Sequence, residues 1–475
     1  MLFNSMLYAV FLPVVFILYW LSPSKIRVML LFLASYYFYM SWNYKYIALI
    51  FATTVISYST GLFLQHFENI RIKKAIVFAA ILFCLGILFV FKYFNFVSDT
   101  IAFVCARLSL PVHPATLNLV LPVGISFYTF QTIGYIIDIY RGDMKAERNF
   151  IAYATFISFF PQLVAGPIEK AENLLPQIKA VKSFDYEKAT YGLKLMAWGY
   201  FKKLAIADIV SVYVDSAYTS LSNRTSLDSL IAIFFFSFQI YCDFSGYSDI
   251  AIGTAKLFNI DLIQNFDCPY LAVNIKDFWH RWHISLSSWF RDYLYIPLGG
   301  NRCSKFRKHL NLLITFLVSG LWHGADWKYV IWGGIHGILQ VISDCFSQYS
   351  RKLYSCTVIA QRVLTFVMVS FVWVFFRAGN LEEAWYQIAN VFRAFRDPSS
   401  LTYQTLGLTG VNAMRIAIAL LILILYDLAS LKTDVIQQIT AKRTIVRWSV
   451  YLILIWLILM LMPNVGHSEF VYFQF

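Results

Sequence analysis

The chain has 475 residues, of which 59% are hydrophobic and only 14% are charged, and its formal net charge is +13. A soluble domain carries about 25% charged residues, so this composition excludes an ordinary soluble protein and indicates an integral membrane protein. The positive charge is expected in cytoplasmic loops, because the sequence holds no RNA- or DNA-binding motif. The seven cysteines are odd in number and form no CxxC pair, which argues against a disulfide framework or a zinc site.

Apolar segments alternate with loops in the first third of the chain. They cover Met6–Leu21, Ile26–Met40, Tyr46–Leu64, Ala75–Val97 and Leu119–Tyr140. The first of them has no basic region before it and no small-residue cleavage site, so it is interpreted as a retained span rather than a signal peptide. Basic residues collect after the first, third and fifth segments, whereas the loop Ser98–Asn118 holds one arginine. The positive-inside rule then places the amino terminus outside the cytoplasm.

Polar residues interrupt the apolar pattern in the middle of the chain. Two prolines and a glycine in Phe150–Ile168 predict a broken or re-entrant helix, which membranes tolerate where protein buries it or where it lines a cavity. Leu193–Val214 is mixed and predicts an interfacial or short spanning helix. In the apolar run Leu227–Phe258, Asp243 and Asp249 must find partners. The two aspartates could form hydrogen bonds with neighbouring helices or take a direct part in catalysis, and the sequence leaves both interpretations open.

The last part of the chain combines an amphipathic stretch with further apolar segments. The amphipathic stretch is Phe278–Tyr295, and Arg377–Gly410 is predicted to be a long polar loop. The apolar segments are Leu310–Leu321, Tyr329–Ser343, Val363–Phe376, Ala413–Leu428 and Val446–Leu461. Basic residues before the last segment place the tail from Pro463 outside. Together these segments predict an all-α polytopic protein of about 11–13 spans, folded as one domain over residues 1–475.

Five of the eight histidines fall between Phe278 and Gly337. His323 is the clearest catalytic candidate, because it ends an apolar segment and stands between Trp322 and Gly324. A histidine can take a proton from a hydroxyl and return it to a leaving group, and burial keeps it available as a base. A core histidine bonded to a backbone carbonyl would explain the same position, so both interpretations stay open.

His283 is the second candidate. Helical spacing would place it on one face with Trp279, Trp282 and Leu286, where it could orient a substrate. An interfacial aromatic belt with a histidine reaching towards water is the alternative. With His280 it forms an HxxH pair, but no carboxylate has the spacing of a third ligand, so no metal is predicted. HExxH, GxSxG, GxxxxGK[ST] and GxGxxG in a strand–helix setting are absent, so hydrolase, P-loop and dinucleotide-binding classes lack support.

Several long motifs resemble the membrane-bound O-acyltransferase family. They are Phe278–Tyr293 with its Arg281-Trp282-His283 core, Pro297–Arg302, and Gly320–Ala325 with Trp322-His323-Gly324. Within that family the chain is most similar to the bacterial alginate O-acetyltransferase branch. The additional matches to this branch are Leu121–Gln131, Pro161–Ile168, Asp243–Asp249 and Tyr472–Phe475.

The resemblance implies a fold and a set of site residues. The expected fold is a ring of tilted helices around a central tunnel through the membrane. The expected catalytic residue is His323, His283 is a second functional position, and His336 is a further position with weaker support. His280 departs from the family pattern, in which arginine or another polar residue is more usual. The residues also expected at the tunnel or substrate are Trp322, Arg281, Trp282, Asp243 and Gln131.

The same resemblance implies a reaction and its participants. Acetyl-CoA is the expected cytoplasmic donor, as a substrate rather than a tightly bound cofactor. The acetyl group would pass across the bacterial inner membrane to an exported polysaccharide such as alginate, with a periplasmic SGNH-type acetyltransferase as partner. D-alanyl transfer to teichoic acid and O-acetylation of peptidoglycan are alternatives within the family. A transporter or scaffold of an export complex, without chemistry, is the alternative of another class.

Overall fold

The structure is a computed structural model that describes residues 1–111, 113–164, 166–219, 224–349, 357–401 and 406–462. Within these ranges the secondary structure is helical and no β-strand occurs, which confirms the all-α class. The helical stretches in these ranges that are long and apolar enough to cross a membrane are Tyr44–His66, Ile70–Arg107, Ser226–Leu257, Val358–Arg377, Gly410–Ser430 and Thr444–Leu461. The chain is therefore a multi-pass membrane protein, while the predicted ring and its tunnel stay predictions.

The chain divides into two compact units. The first comprises Met1–Gly192 and Ala251–Ile263, and the second comprises Leu193–Ile250 and Gln264–Phe475. The prediction of one domain over the whole chain stays a prediction. The predicted outer tail from Pro463 and the motif Tyr472–Phe475 lie outside the described residues, as does Ala165 of the Pro161–Ile168 motif.

The first unit is built from eight helices in its described part. They are α1 (Met6–Leu21), α2 (Ser24–Met40), α3 (Ile47–His66), α4 (Ile70–Leu88), α5 (Phe94–Arg107), α6 (Ile125–Arg141), α7 (Phe150–Ser158) and α8 (Ala171–Lys179). A π-helical turn, Phe89–Tyr93, joins α4 to α5. The predicted loop Ser98–Asn118 is therefore wrong in its first half, because apolar residues such as Ile101 and Phe103 continue the exposed face of the helix to Arg107.

The predicted helix break in Phe150–Ile168 is confirmed. Helix α7 ends at Ser158, before Pro161, and leaves carbonyl groups near its end without helical partners. The side-chain amides of Gln131 and Gln162 both donate to the carbonyl oxygen of Phe156, at 3.0 and 2.8 Å. The break is thus compensated inside the protein, as a membrane environment requires.

The remaining α-helices in the described part of the chain belong wholly or mostly to the second unit. They are α9 (Tyr186–Tyr200), α10 (Asp208–Thr219), α11 (Ser226–Leu257), α12 (Ile275–Arg281), α13 (Ile284–Phe290), α14 (Lys305–His323), α15 (Trp327–Tyr349), α16 (Val358–Arg377), α17 (Leu381–Arg393), α18 (Gly410–Ser430), α19 (Val435–Thr440) and α20 (Thr444–Leu461). A π-helical turn, Phe201–Ala207, joins α9 to α10 and interrupts the single helix predicted for Leu193–Val214.

The predicted loop Arg377–Gly410 is also wrong, because it contains α17. The Asn380 side chain caps this helix by accepting from the N–H of Glu383 at 2.9 Å. Its buried face is polar: Asn390 donates to Ser229 Oγ at 2.8 Å, and Gln387 Oε1 accepts from the same hydroxyl at 3.3 Å. A helix that buries amides rather than apolar side chains leaves no apolar run in the sequence.

Close packing of α14 against α15 positions the site. A β-carbon on Gly320 would overlap the carbonyl oxygen of Tyr329, and one on Gly333 would overlap that of Phe316. A β-carbon on Gly324 would overlap the ring of Tyr329. Small residues at such contacts let two helix backbones approach closely. This brings the end of α14, with His323, directly against the first turns of α15.

Candidate active site

His323 is the last residue of α14, and the following Gly324 is extended. Its side chain is 3% exposed and is surrounded by aromatic rings. Ring centroids lie at 5.0 Å for Trp322, 5.1 Å for Trp332 and 5.4 Å for Phe376. The ring of His283 lies 6.5 Å away. The structure thus brings together the two histidines that the sequence analysis singled out, in an environment that excludes water.

His283 lies at a break between α12 and α13. Its backbone is left-handed, with φ 44° and ψ 55°, which is uncommon and strained for a residue with a side chain. The predicted continuous helix, with Trp279, Trp282, His283 and Leu286 on one face, is therefore wrong. Such strain is retained where the surroundings hold it in place, often at functional sites.

Asn265 holds this strained residue in place. Its side-chain oxygen lies 3.2 Å from Nδ1 of His283 and accepts from the Ser285 hydroxyl at 2.8 Å. Its main-chain carbonyl accepts from the N–H of Ile284 at 2.9 Å. Because an amide oxygen only accepts, Nδ1 of His283 carries the proton and Nε2 is the acceptor nitrogen. Sequence reasoning missed Asn265, which carries no motif of its own.

The environment keeps His283 neutral. The residue lies between helices, outside the spanning stretches, and burial lowers the pKa of its imidazole to about 3. The ring of Phe244 covers it at 4.6 Å, and that of Trp322 lies at 6.1 Å. A neutral imidazole with a fixed tautomer can accept a proton from a hydroxyl at physiological pH.

Trp322 and Trp282 have different places in this region. Trp322 contacts both histidines, as the distances above show, so the structure places it at the site. Trp282 is buried against Trp373 at 4.9 Å and Phe266 at 5.0 Å. It therefore packs behind His283 and supports the break that positions it.

Arg281 has a half-buried position at the end of α12. It is ion-paired with Asp277 at 2.8 Å and with Asp267 at 3.4 Å. Its own carbonyl accepts from the N–H of Asp267 at 2.9 Å. These contacts fasten the loop before α12 to the helix, so the structure gives Arg281 a positioning role rather than a place beside the histidines.

Asp243 is the centre of a buried ion-pair cluster rather than a member of the histidine site. It lies 2.7 Å from Lys203, which also pairs with Asp208 at 2.8 Å. In the neighbouring pair, Asp249 lies 2.6 Å from Lys202. These bonds tie α11 to the π-helical turn and to α10, which is the structural alternative considered for the two aspartates.

His336 is fully buried on α15, and its Nδ1 accepts from the indole N–H of Trp279 at 3.4 Å. Its ring lies 4.9 Å from that of Trp332, which in turn contacts His323. The weaker candidate thus lies one aromatic ring away from the stronger one. Gln131 belongs to the first unit, so its predicted place at the tunnel stays a prediction.

A cavity of about 710 Å³ lies against this region, lined mainly by residues between Val273 and Asp344 and also by Gln361 of α16. Its wall includes Ser319, one helical turn before His323, and Ile284, which follows His283. The basic residues in the wall are Lys276, His280, Arg291 and Lys308, and the acidic one is Asp344. The cavity therefore approaches both histidines and carries an excess of positive charge.

The described residues contain no group of three or more His, Cys, Asp or Glu side chains that could hold a metal ion. His280 is exposed towards the cavity, whereas His283 is buried beyond the end of α12. The break in the helix separates the two, so the HxxH spacing does not create a shared face.

Two buried histidines lie beside a cavity in this all-α membrane chain, and they are the candidates for a catalytic site. The profile of the membrane-bound O-acyltransferase family matches residues 145–381, which include both histidines. A probable alginate O-acetylase of Pseudomonas aeruginosa is 37% identical over 93% of this chain and 84% of its own length. The chain belongs to the membrane-bound O-acyltransferase family and is an O-acyltransferase.

Two further relatives act on other cell-envelope polymers according to their names. A peptidoglycan O-acetyltransferase of Helicobacter pylori is 36% identical over 81% of this chain and 78% of its own length. A teichoic acid D-alanyltransferase of Bacillus subtilis is 30% identical over 55% of this chain and 69% of its own length. The acyl group and the acceptor thus vary among proteins similar to this one.

Proposed function

We propose that the protein takes an acetyl group from acetyl-CoA and transfers it for O-acetylation of an exported polysaccharide such as alginate. The observation that carries this proposal is the pair of buried histidine rings, His323 and His283, which lie 6.5 Å apart close to a basic cavity. A pair of buried imidazoles enclosed by aromatic rings supports proton transfer during acyl exchange.

In the proposed reaction His323 is the general base. An acceptor hydroxyl loses its proton to His323 while its oxygen attacks the thioester carbonyl carbon. The carbon–sulfur bond then breaks, the proton passes to the departing sulfur, and the products are an ester and free CoA. His283, whose Nε2 accepts while Asn265 holds Nδ1, orients the hydroxyl in this scheme.

The basic residues in the cavity wall favour an anionic acyl donor. Lys308 is paired with Asp344 at 2.6 Å and Arg291 with Asp292 at 2.7 Å, whereas Lys276 and His280 face the cavity in addition. Basic clefts attract phosphate groups, which CoA carries at the end opposite its acetyl group. The wall also includes Asn301, which begins a stretch with four basic residues up to Lys308. The positive-inside rule favours the cytoplasm for this stretch, so the donor would enter from that side of the inner membrane.

The proposed acceptor polymer is inferred from the names of similar proteins. The similarity to alginate O-acetylases covers most of this chain and favours an exported polysaccharide as the acceptor. A periplasmic SGNH-type partner, as expected from the family resemblance, is part of the proposal. Peptidoglycan is a second candidate acceptor, because its O-acetyltransferase is almost equally similar, at 36% against 37% identity. D-alanyl transfer has less support, because that relative aligns with 55% of the chain.

The test compares wild type with His323→Ala in cells that carry matched membrane levels of each protein. The measurement is the acetyl content of exported polysaccharide and, separately, of peptidoglycan. His66→Ala is the matched control, because His66 is exposed at the end of α3. Loss of acetyl from one polymer in His323→Ala, with retention in His66→Ala, supports the proposal and identifies the acceptor. Unchanged acetyl in both polymers would favour a transporter or scaffold.

A further inference from the structure

Two buried N–H donors beside the site have no acceptor within the part of the chain that the structure describes. They are Nε1 of Trp332 and Nε2 of His336. Both side chains are fully buried. Leaving a buried donor unpaired costs about 1–3 kcal/mol, so two such groups side by side need an explanation.

Nε2 of His336 is a donor because of the bond at its other nitrogen. The indole of Trp279 can only donate, and it donates to Nδ1 of His336 at 3.4 Å. Nδ1 is therefore unprotonated, the imidazole is neutral, and its single proton is on Nε2. The Trp332 indole nitrogen can only donate as well. Both groups thus need an acceptor oxygen.

The two donors lie together and next to His323. Trp332 and His336 are four residues apart on α15, which places them on one face of the helix. Their rings are 4.9 Å apart, and the Trp332 ring is 5.1 Å from that of His323. The contact of Gly333 with the backbone of α14 holds this face against the end of α14.

Acyl transfer creates the acceptor that these donors lack. When a hydroxyl oxygen attacks a thioester, the carbonyl oxygen takes the displaced electron pair and becomes negative. Preorganised neutral N–H groups in a water-excluded site stabilise such an oxyanion strongly, because they need no reorganisation and the local dielectric is low.

We propose that Trp332 and His336 form the oxyanion-stabilising donor pair of this enzyme, a catalytic role that rests on the proposed function. Nε1–H of Trp332 and Nε2–H of His336 donate to the carbonyl oxygen of the acyl group. The new carbon–oxygen bond forms as the carbonyl π pair moves onto that oxygen. When the pair returns, the C=O bond is restored, the carbon–sulfur bond breaks, and the thiolate receives the proton that His323 removed from the hydroxyl.

The test uses the full-length protein in isolated membranes that also hold its acceptor and partner. The measurement is the acetyl-CoA-dependent release of CoA thiol at varied acetyl-CoA concentration and pH. Trp332→Phe keeps the ring contacts and removes the N–H. His336→Leu removes the imidazole, and His336→Gln restores an N–H donor. The controls are Trp385→Phe, on the exposed face of α17, and His66→Gln.

We expect Trp332→Phe and His336→Leu each to lower kcat by about 10²–10³-fold with little change in KM, the loss typical of one oxyanion donor. His336→Gln should recover part of the rate, and its pH profile should match that of wild type, because a neutral His336 does not titrate in this role. The two control variants should retain the wild-type rate.

Other outcomes would overturn the donor role of Trp332 and His336 or the proposed function on which it rests. If Trp332→Phe and His336→Leu keep full rates while His323→Ala is inactive, the proposed function stands and this inference fails. If His336→Gln is as slow as His336→Leu, or if the losses appear as raised KM and lower protein levels, the two residues act by packing. Full activity of His323→Ala would instead contradict the proposed function itself.

Discussion

The second unit buries polar groups in two regions that solve the same problem differently. Around His323 and His283 the buried groups are imidazoles enclosed by aromatic rings. Around Lys203 the groups are charged, and this one lysine forms ion pairs with both Asp208 and Asp243 within 2.8 Å. A buried charge is tolerated when it is paired, whereas a buried neutral group can remain available for a substrate. In the proposed function the first region takes part in the reaction, whereas the ion pairs of the second region connect neighbouring helices.

The largest expected effect on stability comes from Lys203→Met. The change leaves two carboxylates buried without their cation, which costs about 3–5 kcal/mol. We expect less folded protein in membranes and a lower unfolding temperature after extraction in detergent. The variant that also carries Asp208→Asn and Asp243→Asn should regain much of the stability. Equal stability of Lys203→Met and wild type would show that the cluster does not hold the helices.

The next largest effect is expected where α14 packs against α15 beside His323. Gly320→Val places a β-carbon against the main-chain carbonyl of Tyr329, so α14 and α15 must separate. We expect about 1–3 kcal/mol of destabilisation and at least a tenfold lower rate of acyl transfer, because His323 moves relative to Trp332. The matched control is Gly86→Val, where a β-carbon meets no atom within 4 Å. Equal rates in both variants would contradict the positioning role of this contact.

A pH experiment tests whether the fold holds His283 neutral. Burial lowers the pKa of His283 to about 3, whereas the pKa of an unfolded histidine lies near its ordinary value of 6.5. The unfolded chain therefore binds more protons between these values, and stability contributed by the neutral ring is present above pH 6.5 and is lost as pH falls. The expected slope is about 1.4 kcal/mol per pH unit for this group.

The check is the thermal midpoint of wild type and His283→Gln between pH 7 and pH 5. Wild type should lose more stability than the variant over this range, because glutamine does not titrate. Parallel curves for the two proteins would show that His283 is not held neutral by the fold.

The smallest effect is expected at Arg281. Its ion pairs with Asp277 and Asp267 are partly exposed to solvent, so Arg281→Ala should cost about 1 kcal/mol or less. The rate of transfer should fall by less than tenfold, because the residue fastens a loop and is not placed beside the histidines. A loss comparable with that of His323→Ala, measured in the same membranes, would return Arg281 to the list of residues that contact substrate.

The membrane class, most helix positions and the main catalytic candidate can be predicted from the amino-acid sequence. Hydropathy is a local property, so α1 was predicted with both of its bounds, and the break at Trp322-His323-Gly324 followed from the end of an apolar segment. The prediction failed where helices depend on partners. Helix α17 buries amides against α11, and the π-helical turn at Lys203 depends on aspartates of α10 and α11.

Only the tertiary structure decided how the site is assembled. Asn265 and Phe376 are far from His283 and His323 in sequence, and Trp332 meets His323 because two glycines let α14 and α15 touch. Tautomers follow from such contacts, as those of His283 and His336 show. No local pattern encodes them, because a histidine's chemistry depends on which donor or acceptor the fold places against each of its nitrogens.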